Sequence, residues 1–358
     1  MSLEELRKKI DEADARIVKL IAERVKIAKE IGQEKSKQGK QIEDAAREKG
    51  VLEHVRSIAR QEKVSEQDIE SIYEQIVTLS KSVQGTVVAF QGEIGAYGEE
   101  AAFQFFGSSI QVKPCESLDD VFKLVEQGEA QFGIVPIENS LEGSISRVYD
   151  LLLDSSLKVH NETELRVSHC LIANPGTQLG SIKKIYSHPQ ALAQCRAFLK
   201  HLGGELIPTY NTAASVKMIK EQGITDGAAV ASARAAEIYG MKVLAKEIED
   251  YTHNFTRFFI LSKQDSPPSG NDKTSIVFSV KHKPGTLYEF LRELAARNIN
   301  LTKIESRPTR QKPWEYNFYL DFEGHREDLI AREALDILRQ DVLFLKVLGS
   351  YPKAKQPF

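Results

Sequence analysis

Proline, cysteine, tryptophan and phenylalanine are all missing from the first 85 residues, and Tyr73 is their only aromatic. A segment without proline carries no obligatory helix breaker. The full chain of 358 residues has three cysteines, Cys115, Cys170 and Cys195. That odd, scattered count excludes a disulfide framework and offers no metal-ligand spacing. Charge of one sign is not in excess: 48 basic against 51 acidic residues leave a net charge of −3. Such balance excludes a surface built for non-specific nucleic-acid binding. No apolar run approaches the ~18 residues of a membrane helix. The opening Met1-Ser2-Leu3-Glu4-Glu5-Leu6-Arg7 lacks the apolar core of a signal peptide. The expectation is a soluble, cytoplasmic protein with no metal, no cofactor, and neither nucleic acid nor membrane as partner.

What is present divides the chain into three regions. Leu3, Leu6, Ile10, Ala13, Ile17, Leu20, Ile27 and Ile31 recur at 3–4 spacing, which predicts one long helix over 3–36. Ser2 and Glu5 form a capping-box pattern at its start. At 1.5 Å per residue it spans roughly 50 Å, longer than a small domain, so a second chain is expected to cover its apolar stripe. A second helix is predicted over 43–61, and a third from the capping pair Ser65 and Asp68 through Val83. Residues 1–85 therefore read as an intertwined all-α dimer. From Thr86-Val87-Val88-Ala89-Phe90 onward, strand and helix patterns alternate to Phe258-Phe259-Ile260-Leu261, which predicts an α/β region over 86–262 with two lobes and a cleft. After the linker Ser266-Pro267-Pro268-Ser269-Gly270-Asn271, residues 273–352 read β-α-β-β-α-β, a ferredoxin-like α+β order.

The first helix has an arginine, Arg24, where its apolar stripe calls for the next hydrophobic residue, and Lys35 eleven residues on shares that face. Arg7 lies about 100° away on the wheel, so it serves a different pocket in its own chain or the partner's. Asp44, Arg47 and Glu48 share one face of the second helix, and Ser80 and Gln84 one face of the third. Taken singly, each such charge reads best as solvated surface. As a set they resemble the all-helical chorismate mutase family over residues 3–84. The resemblance implies that Arg24 and the partner chain's copy of Arg7 bind carboxylates. It gives Lys35 and Gln84 to the breaking ether oxygen and Glu48 to the ring hydroxyl, with Asp44, Arg47 and Ser80 ordering the group.

In the second region, four loops carry small residues, hydroxyls and amides: Gly92–Gly98, Pro136–Ser140, Ser187–Gln190 and Asn254–Phe258. Turns from strand to helix with free N–H groups are natural anion sites. The glycine loop lacks dinucleotide spacing, and no G-x-S-x-G context makes Ser140 or Thr256 a hydrolase nucleophile. His169, His188 and His253 read as capping or core histidines. Ser187-His188-Pro189-Gln190-Ala191-Leu192-Ala193-Gln194-Cys195 and Asn254-Phe255-Thr256-Arg257-Phe258 together resemble the prephenate dehydratase family over 86–262. The resemblance implies that Thr256 is the essential hydroxyl. Asn139, Ser140, Ser187 and Gln190 bind substrate, with Glu138 as a relay member.

In the third region, Gly285-Thr286-Leu287 opens a helix and Glu305-Ser306-Arg307-Pro308 ends a strand. These resemble the two phenylalanine-binding motifs of ACT regulatory domains. The implied whole is a bifunctional enzyme of phenylalanine synthesis that takes chorismate to prephenate and prephenate to phenylpyruvate under feedback by L-phenylalanine, as a homodimer or higher oligomer. Two alternatives stand beside it. Ala231–Gly240 looks like the arogenate dehydratases, which act on the transaminated substrate. A non-catalytic amino-acid-binding protein would use the same lobes without explaining the polar set on the helices.

Overall fold

The computed structural model describes residues 2–37, 45–83, 86–108, 110–309 and 314–354, without the helical side chains at 29, 33–37, 45, 46, 48, 78 and 81–83. The chain falls into two compact units, Met1–Val87 with Ser108–Gln111, and Val88–Gly107 with Val112–Phe358. Among the described residues no helix is long and apolar enough to cross a membrane.

Helices α1 (Leu3–Lys37), α2 (Ala45–Gln61) and α3 (Glu66–Val83) make the first unit. The capping box at the start of α1 forms: Glu5 N donates to Ser2 Oγ at 3.2 Å, and Ser2 N to Glu5 Oε2 at 2.7 Å. Ser65 starts α3 in the same way, accepting from Asp68 N at 3.3 Å. Ala28, Val55 and Ala59 are buried, whereas Leu3, Ile10, Ile17 and Leu20 on α1 are 54–66% exposed. The apolar stripe that makes α1 a helix therefore faces out of the single chain.

The second unit holds two α/β lobes and a third sheet. The first lobe orders its main strands Gln111–Cys115, Val87–Gln91, Phe132–Asn139, Phe255–Ser262, Lys158–Arg166, with the short Gly143–Ser144 paired to Phe132–Asn139. The second lobe orders Lys242–Ala245, Cys170–Ala173, Gly227–Ala231, Lys184–Ser187, Glu205–Pro208. The chain leaves the first lobe after Arg166 and returns at Phe255, so two crossings run side by side: Val167 N donates to Asn254 O at 2.8 Å. Gly227–Ala231 and Cys170–Ala173 are buried throughout, as their continuous apolar runs require of inner strands.

The third sheet is antiparallel, in the order Leu301–Pro308, Tyr316–Glu323, Asp272–Ser279, Phe344–Pro352. Helices Thr286–Ala296 and Leu329–Asp341 cover one face around Phe278, Phe290, Leu320 and Leu335. The opposite face meets the first lobe. Gly349 allows that approach: a Cβ there would lie 2.1 Å from Val159 O. Gly349→Ala must push two strands apart, and overpacking of this kind costs about 1–3 kcal/mol. The expected outcome is a lower thermal midpoint for this unit; an unchanged midpoint would show that the contact yields freely.

Candidate functional site

On α1, Arg24 is half-buried and reaches α3. Its Nη1 donates to Ser80 Oγ and, at 3.4 Å, to Ile76 O. Ser80 is buried and donates to Ile76 O at 2.7 Å, so the guanidinium is held against α3 by one hydroxyl and one carbonyl. Arg7 is exposed, in the single chain. Asp44, Gln84 and the side chains of Lys35 and Glu48 lie outside the described residues. Arg47 is exposed on α2 and has an interaction partner. Of the eight polar positions, the pair Arg24 and Ser80 is brought together.

Between the lobes the geometry is fuller. Thr256 and Asn139 are direct partners across neighbouring antiparallel strands. The two hydrogens of Asn139 Nδ2 face three acceptors, Asn254 Oδ1 at 2.8 Å, Thr256 Oγ1 at 3.0 Å and Phe255 O at 3.2 Å. Asn254 Nδ2 donates to Gln194 Oε1 at 3.0 Å, and that oxygen lies 3.0 Å from His169 Nε2. The other ring nitrogen, Nδ1, lies 2.9 Å from Tyr97 OH. All of these side chains but Tyr97 are nearly or wholly buried, and Tyr97 is half-buried.

The direction of this chain follows from the backbone. Leu141 N and Glu142 N donate to Asn139 Oδ1 at 3.0 and 3.1 Å, so the opposite end of that amide must be its NH2. Asn254 then accepts on Oδ1 and donates from Nδ2. Gln194 Oε1 receives that bond, so His169 Nε2 must carry a hydrogen. Burial lowers the His169 pKa, outweighing the Gln194 hydrogen bond, which keeps the ring neutral and Nδ1 bare. Burial also raises the Tyr97 pKa well above the usual phenol value, so its O–H stays intact to donate to Nδ1 or to Ser168 O at 2.7 Å. At the other end, Thr256 Oγ1 accepts from Asn139, and its own proton has no acceptor among the described residues.

The remaining sequence candidates divide. Ser140 Oγ accepts from Phe255 N at 2.9 Å and donates to His253 O at 3.1 Å, fastening the loop beside Thr256. Ser187 is fully buried and donates to Val230 O at 2.6 Å within the second lobe. Gln190 is exposed in the first turn of helix Pro189–Gln194. Glu138 points to the face opposite Asn139, where its carboxylate lies 2.7 Å from Lys303 Nζ. The glycine loop is not an open anion site. Gly95 N donates to Glu99 Oε2 at 2.8 Å, and the second lobe clasps the loop through Ser232 to Gly95 O and Tyr239 to Ile94 O, both 3.0 Å.

Asn254, Gln194 and Tyr97 sit inside the motifs read from sequence yet were not singled out, and His169 read as a core histidine. The usable signal was their side-chain type: amides and a histidine beside buried strand ends demand partners. Burial pushes the Cys115 thiol up to about 11 and raises Cys170 and Cys195 as well, which makes none of them a ready nucleophile. Among the described residues no group of three His, Cys, Asp or Glu could hold a metal ion.

In the third sheet, Gly285, Thr286 and Leu287 line a cavity of about 660 Å³ at the start of helix Thr286–Ala296. Gly285 has φ +87°, a conformation that favours glycine, and Thr286 Oγ1 bonds Lys281 O at 2.7 Å. Among the described lining residues, none comes from Glu305–Pro308. Glu305 bonds Ser144 Oγ at 2.5 Å and Arg307 bonds Ser146 and, at 3.4 Å, Asp150, all in the first lobe. Ser306 and Pro308 are on the exposed side of the strand.

A helical unit with a half-buried arginine, followed in the chain by a two-lobed α/β body and a third, helix-covered antiparallel sheet, has the architecture of a multidomain protein. Residues 6–85 match the family chorismate mutase type II, residues 88–266 prephenate dehydratase, and residues 274–340 the ACT domain. The bifunctional chorismate mutase/prephenate dehydratase of Aquifex aeolicus is 40% identical, over 98% of each chain. Arogenate dehydratase/prephenate dehydratase 2 of Arabidopsis thaliana is 45% identical over 74% of this chain and 72% of its own length. The crystal structure of prephenate dehydratase from Arthrobacter aurescens in complex with L-Phe superposes with a TM-score of 0.69 at 33% identity, covering 75% of this chain and 90% of the other. The chain belongs to the bifunctional chorismate mutase/prephenate dehydratase family. It is both an isomerase and a lyase of aromatic amino-acid synthesis.

The buried neutral His169 has a pH signature. The unfolded chain takes up the imidazole proton near pH 6.5, while the native site resists it. The stability held by this group is complete above that pH and is lost as pH falls through the lowered native value, at about 1.4 kcal/mol per pH unit. His160 and His188 are lowered by burial too and contribute with the same sign. His169→Gln is expected to flatten the fall of the thermal midpoint between pH 7 and 5 relative to wild type. Parallel curves would mean that His169 does not stay neutral.

Proposed function

We propose that Thr256 is the hydrogen-bond donor to the departing hydroxyl of prephenate. The observation that carries this reading is the 3.0 Å bond from Asn139 Nδ2 to Thr256 Oγ1, with the amide's direction fixed by two backbone N–H groups. A hydroxyl that accepts such a bond directs its own proton elsewhere. The elimination sends the electrons of the carboxylate C–C bond into the ring, carbon dioxide leaves, and the ring expels its hydroxyl as hydroxide, which takes a proton from solvent to become water. A threonine is too weak an acid to surrender its proton outright; it stabilises charge on the leaving oxygen as that charge develops. Asn139 positions it, and Asn254, Gln194 and His169 hold Asn139 in register. Ser140 and Gln190, both exposed, are the groups open to substrate, and Ser187, wholly buried, supports the second lobe through Val230 O. Glu138 acts through its pairing with Lys303.

For the mutase we infer that Arg24, braced by Ser80, grips a carboxylate of chorismate, with Lys35, Asp44, Arg47, Glu48 and Gln84 completing the pocket and Arg7 supplied by a partner chain. The rearrangement needs no nucleophile, only a held conformer and positive charge near the breaking ether bond. A homodimer is supported by the exposed apolar stripe of α1, since each such side chain gains about 1.5–3 kcal/mol on full burial. Three buried free cysteines support a reducing, cytoplasmic setting.

L-Phenylalanine is the effector in this reading, held at Gly285, Thr286 and Leu287 with Ser306 and Pro308 facing a second copy and Glu305 and Arg307 turned to the dehydratase. The Arthrobacter aurescens relative, solved with L-Phe, supports that choice. Prephenate is preferred to arogenate as substrate because the mutase in the same chain produces it.

Two substitutions separate the activities. Thr256→Ala is expected to lower dehydratase kcat about 10²–10³-fold, the usual loss for one positioned donor, with mutase turnover unchanged. Arg24→Ala is expected to abolish mutase turnover and spare the dehydratase. Full dehydratase rate in the first variant, or mutase activity in the second, overturns the corresponding assignment. Side-by-side turnover of prephenate and arogenate tests the substrate.

A further inference from the structure

The effector cavity is not walled by the regulatory sheet alone. Leu153 and Asp154, which end helix Ser146–Asp154 of the first dehydratase lobe, line it together with Lys281, Thr286, Phe318 and Phe344. We propose that Asp154 is the counter-ion for the ammonium group of the amino acid bound there, so that the dehydratase domain itself completes the effector site. This inference rests on the effector reading above.

The cavity has the three surfaces a free aromatic amino acid needs. Lys281 and the open first turn of helix Thr286–Ala296 suit a carboxylate. Phe318 and Phe344 give an apolar wall. An ammonium group needs a carboxylate, and two are present. Glu315 is already engaged with another residue. Asp154 is exposed and accepts no hydrogen bond among the described residues, although Lys346 and Arg147 lie close enough to feel its charge.

Asp154 is also held in place by the regulatory sheet. Lys346 Nζ donates to Leu152 O, Leu153 O and Ser155 O at 3.0, 2.7 and 2.6 Å, which caps this helix beside the cavity. At the other end Ser146 meets Arg307, and Tyr149 O accepts from Tyr319 OH at 2.9 Å. Just upstream, Lys303 bonds Ser144 Oγ at 2.9 Å and Glu138 at 2.7 Å, next to Asn139. A ligand that pulls on Asp154 therefore loads a dehydratase helix whose far end abuts the strand carrying Asn139.

The test is calorimetry on the full-length protein with two ligands, L-phenylalanine and 3-phenylpropionate, which lacks the ammonium group. Wild type is expected to bind L-phenylalanine at least tenfold more tightly. Asp154→Asn is expected to lose about tenfold in L-phenylalanine affinity while binding 3-phenylpropionate as before, and Asp154→Glu to keep the preference. If Asp154→Asn retains wild-type discrimination, the assignment is wrong. If it loses both ligands alike, Asp154 shapes the cavity without reading the ammonium, and the assignment also fails. Absence of L-phenylalanine binding to wild type is a separate outcome that overturns the effector reading itself.

Discussion

The guanidinium of Arg257 is the constraint on which the larger unit depends. It is almost fully buried, and three elements converge on it. Glu162 lies at 2.7 Å, Asp321 at 2.8 Å and Tyr351 OH at 3.1 Å, with the Phe259 ring 4.9 Å beneath. Glu162 is shared with Lys273 at 2.9 Å and with Ala354 N at 3.0 Å. Asp321, Tyr351 and Lys273 belong to the regulatory sheet, and Glu162 and Arg257 to the dehydratase. A buried ion cluster adds little net stability over an apolar one, but losing one member strands the others, at about 3–5 kcal/mol. The cluster therefore fixes a single way of joining two domains. Alternation along the strand does the rest: Arg257 faces the regulatory sheet, so its neighbour Thr256 must face the cleft. The residue that anchors the domains sets the orientation of the proposed donor.

The cleft solves a different problem with uncharged groups. Thr256, Asn139, Asn254, Gln194 and His169 form one polar line with a single direction, and two backbone N–H groups at Leu141 and Glu142 set it. A carboxylate in that line would reverse easily by gaining a proton, whereas amides cannot. Because the line crosses between lobes at the paired segments around Val167 and Asn254, it also ties lobe geometry to the orientation of the Thr256 hydroxyl. In the proposed reaction aromatisation drives the elimination, so a well-oriented weak donor is asked only to stabilise the leaving oxygen.

Much of this was legible in the sequence because the patterns are local. The 3–4 stripe of α1, the capping pairs Ser2/Glu5 and Ser65/Asp68, and the β-α-β-β-α-β order of the last region all appear as read. Arg24 was legible because a charge interrupted an apolar row. Glu138 was given a relay role by the family resemblance, but a strand sends it to the face opposite Asn139, where it meets Lys303, 165 residues away. His169, Gln194 and Asn254 escaped for the same reason. Each is unremarkable alone, and their meaning lies in contacts between segments that cross from lobe to lobe. The glycine loop gave an anion-site signal because free N–H groups are inferred from a turn, yet Glu99 and the second lobe occupy it.

The strand Leu301–Pro308 shows how one backbone irregularity divides labour between two domains. Its pairing with Tyr316–Glu323 shifts register between Leu301 and Lys303. Leu301 still packs on the helix-covered core, as a regular strand would have it. After the shift, Lys303, Glu305 and Arg307 turn to the dehydratase, where they meet Glu138, Ser144 and Ser146. Ile304, Ser306 and Pro308 are left exposed on the other side. A slip of one residue would exchange these sets, aiming three charged side chains outward and an isoleucine at a carboxylate. The stretch Glu305–Pro308 is thus two interleaved sets: Glu305 and Arg307 hold the dehydratase domain, and Ser306 and Pro308 lie on the exposed side. Any signal that passes through this strand must do so by shifting a backbone whose other face is bonded to the dehydratase.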